Sequence, residues 1–305
     1  MSERGAGVDN TESFSRTPGG AILMDGERLR DEIVAELRIA IEAAGSPRVC
    51  LATVLVGDDG PSQRYVKMKH RKAEEAGMVS HHVGLPPTAS QSQVEDAVAT
   101  LAADPAVHGI LCQLPLPEGL DPEPVLALVP FEKDVDGLTE LSMGRLVRGL
   151  PGHIGCTPLG VMRLLERYGV ATVGKRATVI GRSTLTGLPQ VLLLGRKGVD
   201  ATVTLAHSRT SADDMIEVCR SADIIVACAG QARMITADHV KPGAAVIDVG
   251  VSRSERGIVG DVDFDAVQRV AGAITPMPGG TGPMTIACLL ENTLAAARML
   301  GAISC

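Results

Sequence analysis

The sequence has few aromatic residues, no long apolar run and no excess of positive charge. Its 305 residues include no Trp, two Tyr and three Phe, so aliphatic side chains must build the core. No apolar stretch reaches the roughly 20 residues that a membrane-spanning helix needs, and we expect no membrane partner. The formal net charge is −7. Because nucleic acids require clustered cationic surface, we expect no nucleic-acid partner either.

The cysteines are scattered rather than paired. There are seven of them, and none forms a C-x-x-C motif. Structural zinc sites usually take such pairs, so we predict no metal site. An odd and scattered set in a chain of this length is typical of reduced thiols, and we therefore expect a cytoplasmic protein.

The first 20 residues are polar, rich in Gly, Ser and Thr, and include acidic side chains. A secretory signal would need an apolar stretch, and a transit peptide would be rich in Arg and poor in acids. We interpret residues 1–20 as a disordered extension.

From residue 21 onward, short β-rich segments alternate with segments that have apolar residues at helical spacing. This alternation predicts α/β architecture with parallel sheets and crossover helices. The length suits two domains, with a junction in the Gly- and Pro-containing region 146–160. A closing helix is predicted without a place in the fold. The predicted helices are 27–44, 62–76, 91–101 and 285–300, and the predicted strands are 21–26, 48–56, 80–83, 109–113, 177–180, 201–205, 223–227 and 244–249.

A candidate nucleotide site follows the strand 177–180, which runs into Gly181-Arg182-Ser183 and then into an apolar helix. A strand, a glycine turn and a helix N-terminus together form an anion site, because unpaired amides face the ligand there. The spacing is not G-x-G-x-x-G, so the turn alone fits an ordinary strand-to-helix connection equally well.

The next strand ends in His207-Ser208-Arg209-Thr210. A site for NAD usually has Asp or Glu at this point, where it binds the ribose 2′-hydroxyl. Here every side chain can donate a hydrogen bond, and with Arg182 they predict a pocket for a 2′-phosphate, hence NADP. The alternative is a solvated polar loop. Two further strand-end loops, 229–231 and 248–253, should flank the nicotinamide.

In the first half of the chain, Tyr65 and Lys69 are four residues apart on a predicted helix and share one face. Crowding by like charges should lower the pKa of Lys69 and favour a neutral amine. Taken alone, the pattern fits a solvated cationic helix face better. The crowding residues are Lys67, His70, Arg71 and Lys72.

Two further polar positions follow buried segments. Gln113 stands at the end of an apolar strand, before two prolines that rigidify the exit. Asp134 and Asp136 lie in Lys133-Asp134-Val135-Asp136-Gly137, which lacks the Glu of a calcium loop. A carboxylate such as Asp136 could instead accept paired hydrogens from a 2-amino-pyrimidinone edge.

From about residue 22 to near the C-terminus, the chain resembles the bifunctional methylenetetrahydrofolate dehydrogenase/methenyltetrahydrofolate cyclohydrolase family. The stretches that carry the resemblance are Val56-Gly57, Ser62-x-x-Tyr65-Val66-x-x-Lys69, Gln113-Leu114-Pro115-Leu116-Pro117, Lys133-Asp134-Val135-Asp136-Gly137, Cys156-Thr157-Pro158, Gly181-Arg182-Ser183, Gly260-Asp261-Val262-Asp263 and Thr275-Pro276-Met277-Pro278-Gly279-Gly280-Thr281-Gly282-Pro283-Met284-Thr285.

The resemblance implies a folate-binding catalytic domain at 21–155, joined by the C-terminal helix 285–300. A cleft separates it from an NADP-binding Rossmann domain at 156–284. It also implies tetrahydrofolate derivatives as substrates, NADP as the cofactor and a homodimer formed through the Rossmann domain. The expected role lies in one-carbon metabolism, and thus in purine, methionine and histidine biosynthesis.

The resemblance further implies that Lys69 is the catalytic lysine, that Gln113 assists it, and that Tyr65 stacks on the folate as a third catalytic residue. Asp136 would anchor the pterin. The remaining implied substrate-binding residues are Leu114, Pro115 and Pro283, and the implied cofactor-binding residues are Gly181, Arg182, Ser183, Ser208, Arg209, Val251, Gly280 and Thr281.

Some positions depart from the family pattern without removing a catalytic group. Thr186 and Thr281 replace usual valines beside the cofactor loops, so cofactor affinity and dehydrogenase rate are the properties they could change. Gly155 replaces a common proline, and Arg71 a frequent lysine. Alternatives to the bifunctional reading are one retained activity, another Rossmann oxidoreductase, or a non-catalytic NADP-binding regulator. The last should have lost Lys69.

Overall fold

The computed structural model describes residues 14–254 and 257–303. They form two parallel sheets with helices against them and one small two-stranded antiparallel sheet, which confirms the predicted α/β class. In chain order the elements are β1 (Ile22–Leu23), α1 (Gly26–Ala43), β2 (Cys50–Val56), α2 (Gly60–Glu75), β3 (Val79–Leu85), α3 (Gln91–Ala103), β4 (Gly109–Cys112), α4 (Pro122–Ala127), α5 (Glu140–Val147), α6 (Cys156–Arg167), β5 (Arg176–Ile180), α7 (Gly187–Gly195), β6 (Thr202–Ala206), α8 (Ala212–Arg220), β7 (Ile224–Ala227), β8 (Ala245–Asp248), β9 (Ser252–Ser254), β10 (Gly257–Val259), α9 (Phe264–Val267), β11 (Ala273–Ile274) and α10 (Thr281–Met299).

The smaller sheet has the strand order β3-β2-β4, and its central strand β2 is buried along its whole length. Helix α2 begins after Asp59, whose side chain accepts from the Ser62 backbone N–H at 2.9 Å. It ends at Glu75, and Gly77 follows the C-cap residue with a φ of +81°, which suits a residue without a side chain. This crossover lays α2 against β2 and β3.

The larger sheet has the order β1-β11-β8-β7-β5-β6, and every neighbouring pair is parallel. The chain moves from β5 outward to β6. It then crosses back to the other side of β5, where β7 and β8 follow. Ligands of open parallel sheets bind at such a reversal, beyond the carboxyl ends of the strands. The turn after β5 therefore has the position expected for the nucleotide.

The N-terminal strand β1 belongs to the larger sheet. The predicted domain boundary at residue 21 had placed it in the first domain. Ile22 of β1 lies opposite Ala273 of β11. The pairing joins segments about 250 positions apart in the sequence, and no local pattern indicates such a partner.

The interpretation of residues 1–20 as disordered is wrong for residues 14–20. The Leu23 backbone N–H donates to Ser15 O at 2.8 Å, and Arg16 forms a bridge with Ile22. The Phe14 ring lies 4.9 Å from the ring of Tyr168, which gives this polar segment an apolar anchor. Residues 1–13 lie outside the described residues.

Helix α10 connects the two halves of the molecule. It begins at Thr281, before the predicted 285, and packs on α1 and α6 as well as on β2 and β4 of the smaller sheet. The predicted junction at 146–160 is partly helical, because α6 begins at Cys156 within it. Among residues 14–254 and 257–303, no helix is both long and apolar enough to cross a bilayer. The same ranges contain no group of three His, Cys, Asp or Glu side chains suited to a metal ion.

Candidate active site

Lys69 and Gln113 meet beyond the ends of adjacent strands of the smaller sheet. Lys69 lies on α2, which follows β2, and only 6% of the residue is exposed. Its Nζ donates to Gln113 Oε1 at 3.0 Å, and Gln113 directly follows β4, the neighbour of β2. Gln113 Nε2 donates to Leu114 O at 2.8 Å, which fixes the orientation of the amide. The pairing holds a buried amine in one direction.

Tyr65 lies beside Lys69 and contacts the start of α10. The Lys69 Nζ is 4.7 Å from the centroid of the Tyr65 ring. The Tyr65 hydroxyl donates to Gly282 O at 3.0 Å and makes a short contact with Thr285 Oγ1. Burial raises the pKa of Tyr65 to about 12, so the phenol stays protonated near neutral pH. Pro283 belongs to the same first turn of α10.

The two carboxylates of the segment 133–137 have different surroundings. Asp134 is buried, and its Oδ2 accepts from Thr139 Oγ1 at 2.7 Å and from Ser142 Oγ at 2.6 Å, so it holds the start of α5. Asp136 stays partly exposed and is coupled electrostatically to Lys69. The carboxylate available for a ligand is therefore that of Asp136.

The pKa of Lys69 is lowered, as predicted, but the predicted cause is wrong. Burial of the amine is the main cause, and the Asp136 carboxylate opposes it. The cations beside Lys69 in the sequence do not crowd it: Lys72 Nζ lies 2.8 Å from Asp31 Oδ1, and Arg71 Nε lies 3.5 Å from Glu75 Oε1. Burial also raises the pKa of Asp136, opposed by Lys69. For Lys69 the direction favours the neutral amine, the form that can accept a proton.

Sequence reasoning assigned no role to Cys156 or Asn292, which hold the segments around Asp136. The Cys156 thiol donates to Val135 O at 3.3 Å, and burial raises its pKa well above the ordinary range. Asn292 Nδ2 donates to Val135 O at 2.8 Å and to Ile154 O at 2.9 Å. The Cys-Thr-Pro motif marked the first residue only through the resemblance, and Asn292 carries no sequence signal because its partners are distant in the chain.

The turn after β5 is built so closely that two of its positions require glycine. Gly181 has a φ of +129°, and a Cβ there would lie 2.3 Å from Cys228 O. A Cβ on Gly187, the first residue of α7, would lie 2.1 Å from Gly181 O. Ser183 closes the turn, with its Oγ accepting from the Thr186 backbone N–H at 3.2 Å. The first turn of α7 has no side-chain cap, but the Leu188 N–H donates to Ser183 O at 3.0 Å and Pro189 has no N–H. The amide of this turn that could reach a ligand is therefore that of Gly187.

A cavity of about 660 Å³ lies beside this turn, and it brings together residues from three strand ends. Arg182 and Ser208 both line it, but Arg209 does not. Ala229 and Gln231, in the loop after β7 that was expected beside the nicotinamide, form a wall of the cavity that holds Arg182. Donors without a carboxylate at the end of β6 suit a 2′-phosphate.

The other predicted cofactor residues lie in the loop after β8 and at the start of α10. Val251 follows β8 and is 61% exposed. Gly280 is buried, and a Cβ there would lie 2.6 Å from Pro276 O. The Thr281 hydroxyl donates to Asp248 O at 2.9 Å inside the protein, so only its backbone could reach a cofactor.

Two sequence models of one family match the chain. The catalytic-domain model of tetrahydrofolate dehydrogenase/cyclohydrolase matches residues 24–136, and the NAD(P)-binding-domain model of the same family matches residues 155–300.

Relatives and solved structures agree with the two matches. The bifunctional protein FolD 2 of Frankia alni is 52% identical over 286 residues, covering 91% of this chain and 96% of the relative. The crystal structure of a bifunctional FolD from Campylobacter jejuni is similar with a TM-score of 0.87, 42% identity and coverage of 91% and 98%. The Trypanosoma brucei FolD structure, complexed with NADP cofactor and inhibitor, has a TM-score of 0.85, 37% identity and coverage of 92% and 98%.

Proposed function

Because this chain belongs to the tetrahydrofolate dehydrogenase/cyclohydrolase family, we propose that one site around Lys69 serves both of its reactions. The chain oxidises 5,10-methylenetetrahydrofolate to the 5,10-methenyl form with NADP⁺ and hydrolyses that product to 10-formyltetrahydrofolate. The observation that carries the proposal is the buried Lys69 amine, which donates to Gln113 Oε1 at 3.0 Å and lies 4.7 Å from the Tyr65 ring centroid.

The residues around the turn after β5 fit a dinucleotide phosphate. Gly181 and Gly187 allow the backbone to approach the pyrophosphate closely, and the Gly187 amide could donate to it. Arg182 and Ser208 hold the 2′-phosphate, while Arg209 contributes charge from outside the cavity wall. Val251 and the backbone of Gly280 and Thr281 lie on the nicotinamide side. Bound NADP⁺ supplies the acceptor for the hydride.

In the first reaction the chain's task is to position the methylene carbon and to tolerate the positive charge that develops on it. Lys69 does this in its neutral form, which burial favours, because a protonated amine would repel the methenyl cation. The Tyr65 ring presents a π face to that cation. No side chain needs to transfer a proton in this step.

In the second reaction neutral Lys69 accepts a proton from the water that attacks the methenyl carbon, so a C–O bond forms. Gln113 Oε1 accepts from the amine and so orients its lone pair. The C–N5 bond then breaks, Lys69 returns its proton to N5, and the hydroxyl proton leaves to solvent. The products are 10-formyltetrahydrofolate and one proton.

Asp136 anchors the pterin by accepting two hydrogens from its 2-amino-pyrimidinone edge. Its partly exposed carboxylate contacts the Cys156 thiol, whereas the Asp134 carboxylate is engaged by Thr139 and Ser142. Leu114, Pro115 and Pro283 form the walls against the folate; the first two follow Gln113, and the third lies in the α10 turn that Tyr65 contacts.

The assembly proposal is a cytoplasmic homodimer joined through the Rossmann domain. Residues 21–155 with helix 285–300 form the folate domain and 156–284 the cofactor domain, except that β1 lies in the larger sheet. The edge strand β6 supports this interface, because Thr202 and Thr204 are exposed on it. Light scattering on the purified protein should give twice the mass of one chain, and a monomer would contradict the dimer.

Purified protein with methylenetetrahydrofolate and NADP⁺ tests the function directly. Absorbance of methenyltetrahydrofolate should appear with NADPH, and methenyltetrahydrofolate supplied without cofactor should disappear faster than in buffer. Appearance without disappearance, or the reverse, would favour the alternative of one retained activity. Neither signal would contradict the proposed function.

A further inference from the structure

Two buried carboxylates beyond the carboxyl ends of the strands of the larger sheet take no part in the reactions described above. Asp248 ends β8 and is 2% exposed, and Asp261 follows β10 and is fully buried. Burial of a carboxylate is costly unless hydrogen bonds or a cation compensate it. Within the described ranges neither residue forms an ion pair, so backbone amides must supply the compensation.

The hydrogen bonds of the two carboxylates form a network that extends to the cofactor cavity. Asp248 Oδ1 accepts from the Asp261 backbone N–H at 2.9 Å, and Asp248 Oδ2 accepts from the Val262 N–H at 3.0 Å. Asp261 Oδ2 accepts from the Ala229 N–H at 2.7 Å and from the Gly230 N–H at 3.0 Å. Asp248 thus fixes the backbone of Asp261, and Asp261 fixes the loop after β7.

Two glycines make room for these carboxylates. A Cβ on Gly260 would lie 1.8 Å from Asp248 Oδ2, and a Cβ on Gly250 would lie 2.0 Å from the Asp261 carboxyl carbon. Any side chain at either position would displace a carboxylate. The Asp-Val-Gly and Gly-Asp-Val motifs of the sequence are therefore one structural unit, with each glycine closing over the acid of the other motif.

The loop that Asp261 holds is a wall of the cofactor cavity. Ala229 and Gln231 line the cavity together with Arg182. The carbonyl of Cys228 lies where a Cβ of Gly181 would point, so the loop after β7 and the phosphate turn are packed backbone against backbone. A shift of this loop would move the cavity wall and the turn together.

We propose that Asp261 and Asp248 are positioning residues for NADP: Asp261 sets the loop after β7, and Asp248 sets Asp261. The proposal rests on the proposed function, since it takes the cavity beside Arg182 as the NADP site. One Asp261 oxygen, Oδ1, is buried without a hydrogen-bond partner. Only the other oxygen, Oδ2, accepts hydrogen bonds from the loop. An amide that keeps an oxygen at the Oδ2 position should therefore hold the loop nearly as well.

The two reactions of the enzyme provide the test, because methenyl hydrolysis uses no NADP. Asp261→Ala removes the acceptor of two buried N–H groups and should raise the KM for NADP⁺ about tenfold or more. The KM for the folate and the hydrolysis rate should stay within about twofold. Asp261→Asn should recover most of the NADP⁺ affinity. Asp263→Asn is the matched control, because the side chain of this partly exposed acid accepts from the Ala266 N–H at the start of α9 and not from Ala229 or Gly230.

An unchanged KM for NADP⁺ in Asp261→Ala would overturn the proposal, and so would equal losses of both activities, which would indicate a general structural role. If that variant does not fold, Asp248→Asn decides, since its amide keeps only one of the two oxygens that accept from the Asp261 and Val262 N–H groups. A raised KM for NADP⁺ with intact hydrolysis would support the proposal, and an unchanged KM would overturn it. An unmodified protein without NADP-dependent oxidation would contradict the proposed function instead.

Discussion

The amine of Lys69 is turned into the protein, whereas Lys72 and Arg71 on the same helix pair with acids outside the site. Its chemistry consequently depends on burial and on the contacts with Gln113 and Tyr65. A single apolar replacement can remove the amine without disturbing a wider charge network. The role of the residue can thus be tested with little risk to the fold.

Lys69→Met should abolish methenyl hydrolysis and leave measurable hydride transfer. Only the hydrolysis requires a group that accepts and returns a proton, and such groups typically contribute 10²- to 10⁴-fold. Both rates would be measured on the same preparation, so that the dehydrogenase serves as the control for folding. Undiminished hydrolysis would rule out the assigned role.

The pH dependence of hydrolysis should follow the same amine. The neutral form is the base, so the rate should rise with pH and level off above an apparent pKa below the ordinary lysine value of about 10.4. Asp136 acts to raise the pKa of Lys69, so Asp136→Asn should move the rise to lower pH. Rates at saturating folate would be compared, and a shift to higher pH would contradict the coupling.

Asp136→Ala should impair both reactions, because both use the same bound folate. The main effect should be a KM for the folate raised about tenfold or more, as expected when a charge-assisted pair of hydrogen bonds is lost. The KM for NADP⁺ provides the internal control and should change little. A loss confined to one activity would mean that Asp136 acts in the chemistry rather than in binding.

Among the secondary-structure elements, those with strong local periodicity could be predicted, and those placed by distant contacts could not. The apolar spacing of α1 and the stop at Gly77 gave helix positions close to those observed. The place of β1 in the larger sheet depends on β11, at the other end of the chain. The start of helix α10 was predicted too late, because its first turn contains Gly and Pro, a composition that usually indicates a loop.

The same limit applies to the site. Tyr65 and Lys69 could be paired from helical spacing, and Gln113 from its place after a buried strand. The positioning of the loop after β7 by Asp261 could not be predicted, because the donors lie about 30 positions earlier in the sequence. Burial of Lys69 was also missed, because a charged helix face gives no indication of which side chain turns inward.

Thr281 ties the start of α10 to the end of β8, and its replacement by the isosteric valine tests that link. The hydroxyl is buried and donates to Asp248 O at 2.9 Å. Thr281→Val should lower the free energy of unfolding by about 1–2 kcal/mol, because a buried carbonyl loses a partner. Denaturant unfolding would measure it, with Thr88→Val in an exposed turn as the control, expected within about 0.5 kcal/mol. Equal values for both variants would show that the bond contributes nothing.

At the scale of the whole molecule, helix α10 contacts residues near the larger sheet and residues near the smaller sheet. Its first turn reaches Asp248 through Thr281 and the Tyr65 hydroxyl through Gly282, while Asn292 further along holds the segment beside Asp136. One helix therefore carries contacts to the cofactor half and to the folate half. A cofactor that binds only the folded chain must stabilise all of these contacts together.

Cofactor preference should be visible in the stability of the entire chain as well as in its kinetics. A 2′-phosphate carries about two negative charges near neutral pH, and each charge-assisted donor should contribute roughly 1.5–3 kcal/mol. Arg182 and Ser208 line one cavity at the end of β6, where no carboxylate would prefer a free ribose hydroxyl. We expect NADP⁺ to be used in preference to NAD⁺ and to raise the unfolding temperature more at equal concentration.

Arg182→Ala should weaken NADP⁺ far more than NAD⁺ in both measurements, since only NADP⁺ carries the group that the guanidinium binds. Arg209→Ala is the matched control: it removes the same charge beyond the neighbouring strand β6, outside the cavity wall, and should reduce the preference less. Because Arg182 is itself solvent-exposed, added salt should diminish part of its contribution. Steady-state kinetics and thermal unfolding with each cofactor decide the matter. Equal use of NAD⁺ and NADP⁺ by the unmodified protein, or an unchanged preference in Arg182→Ala, would refute the assignment of this cavity to the 2′-phosphate.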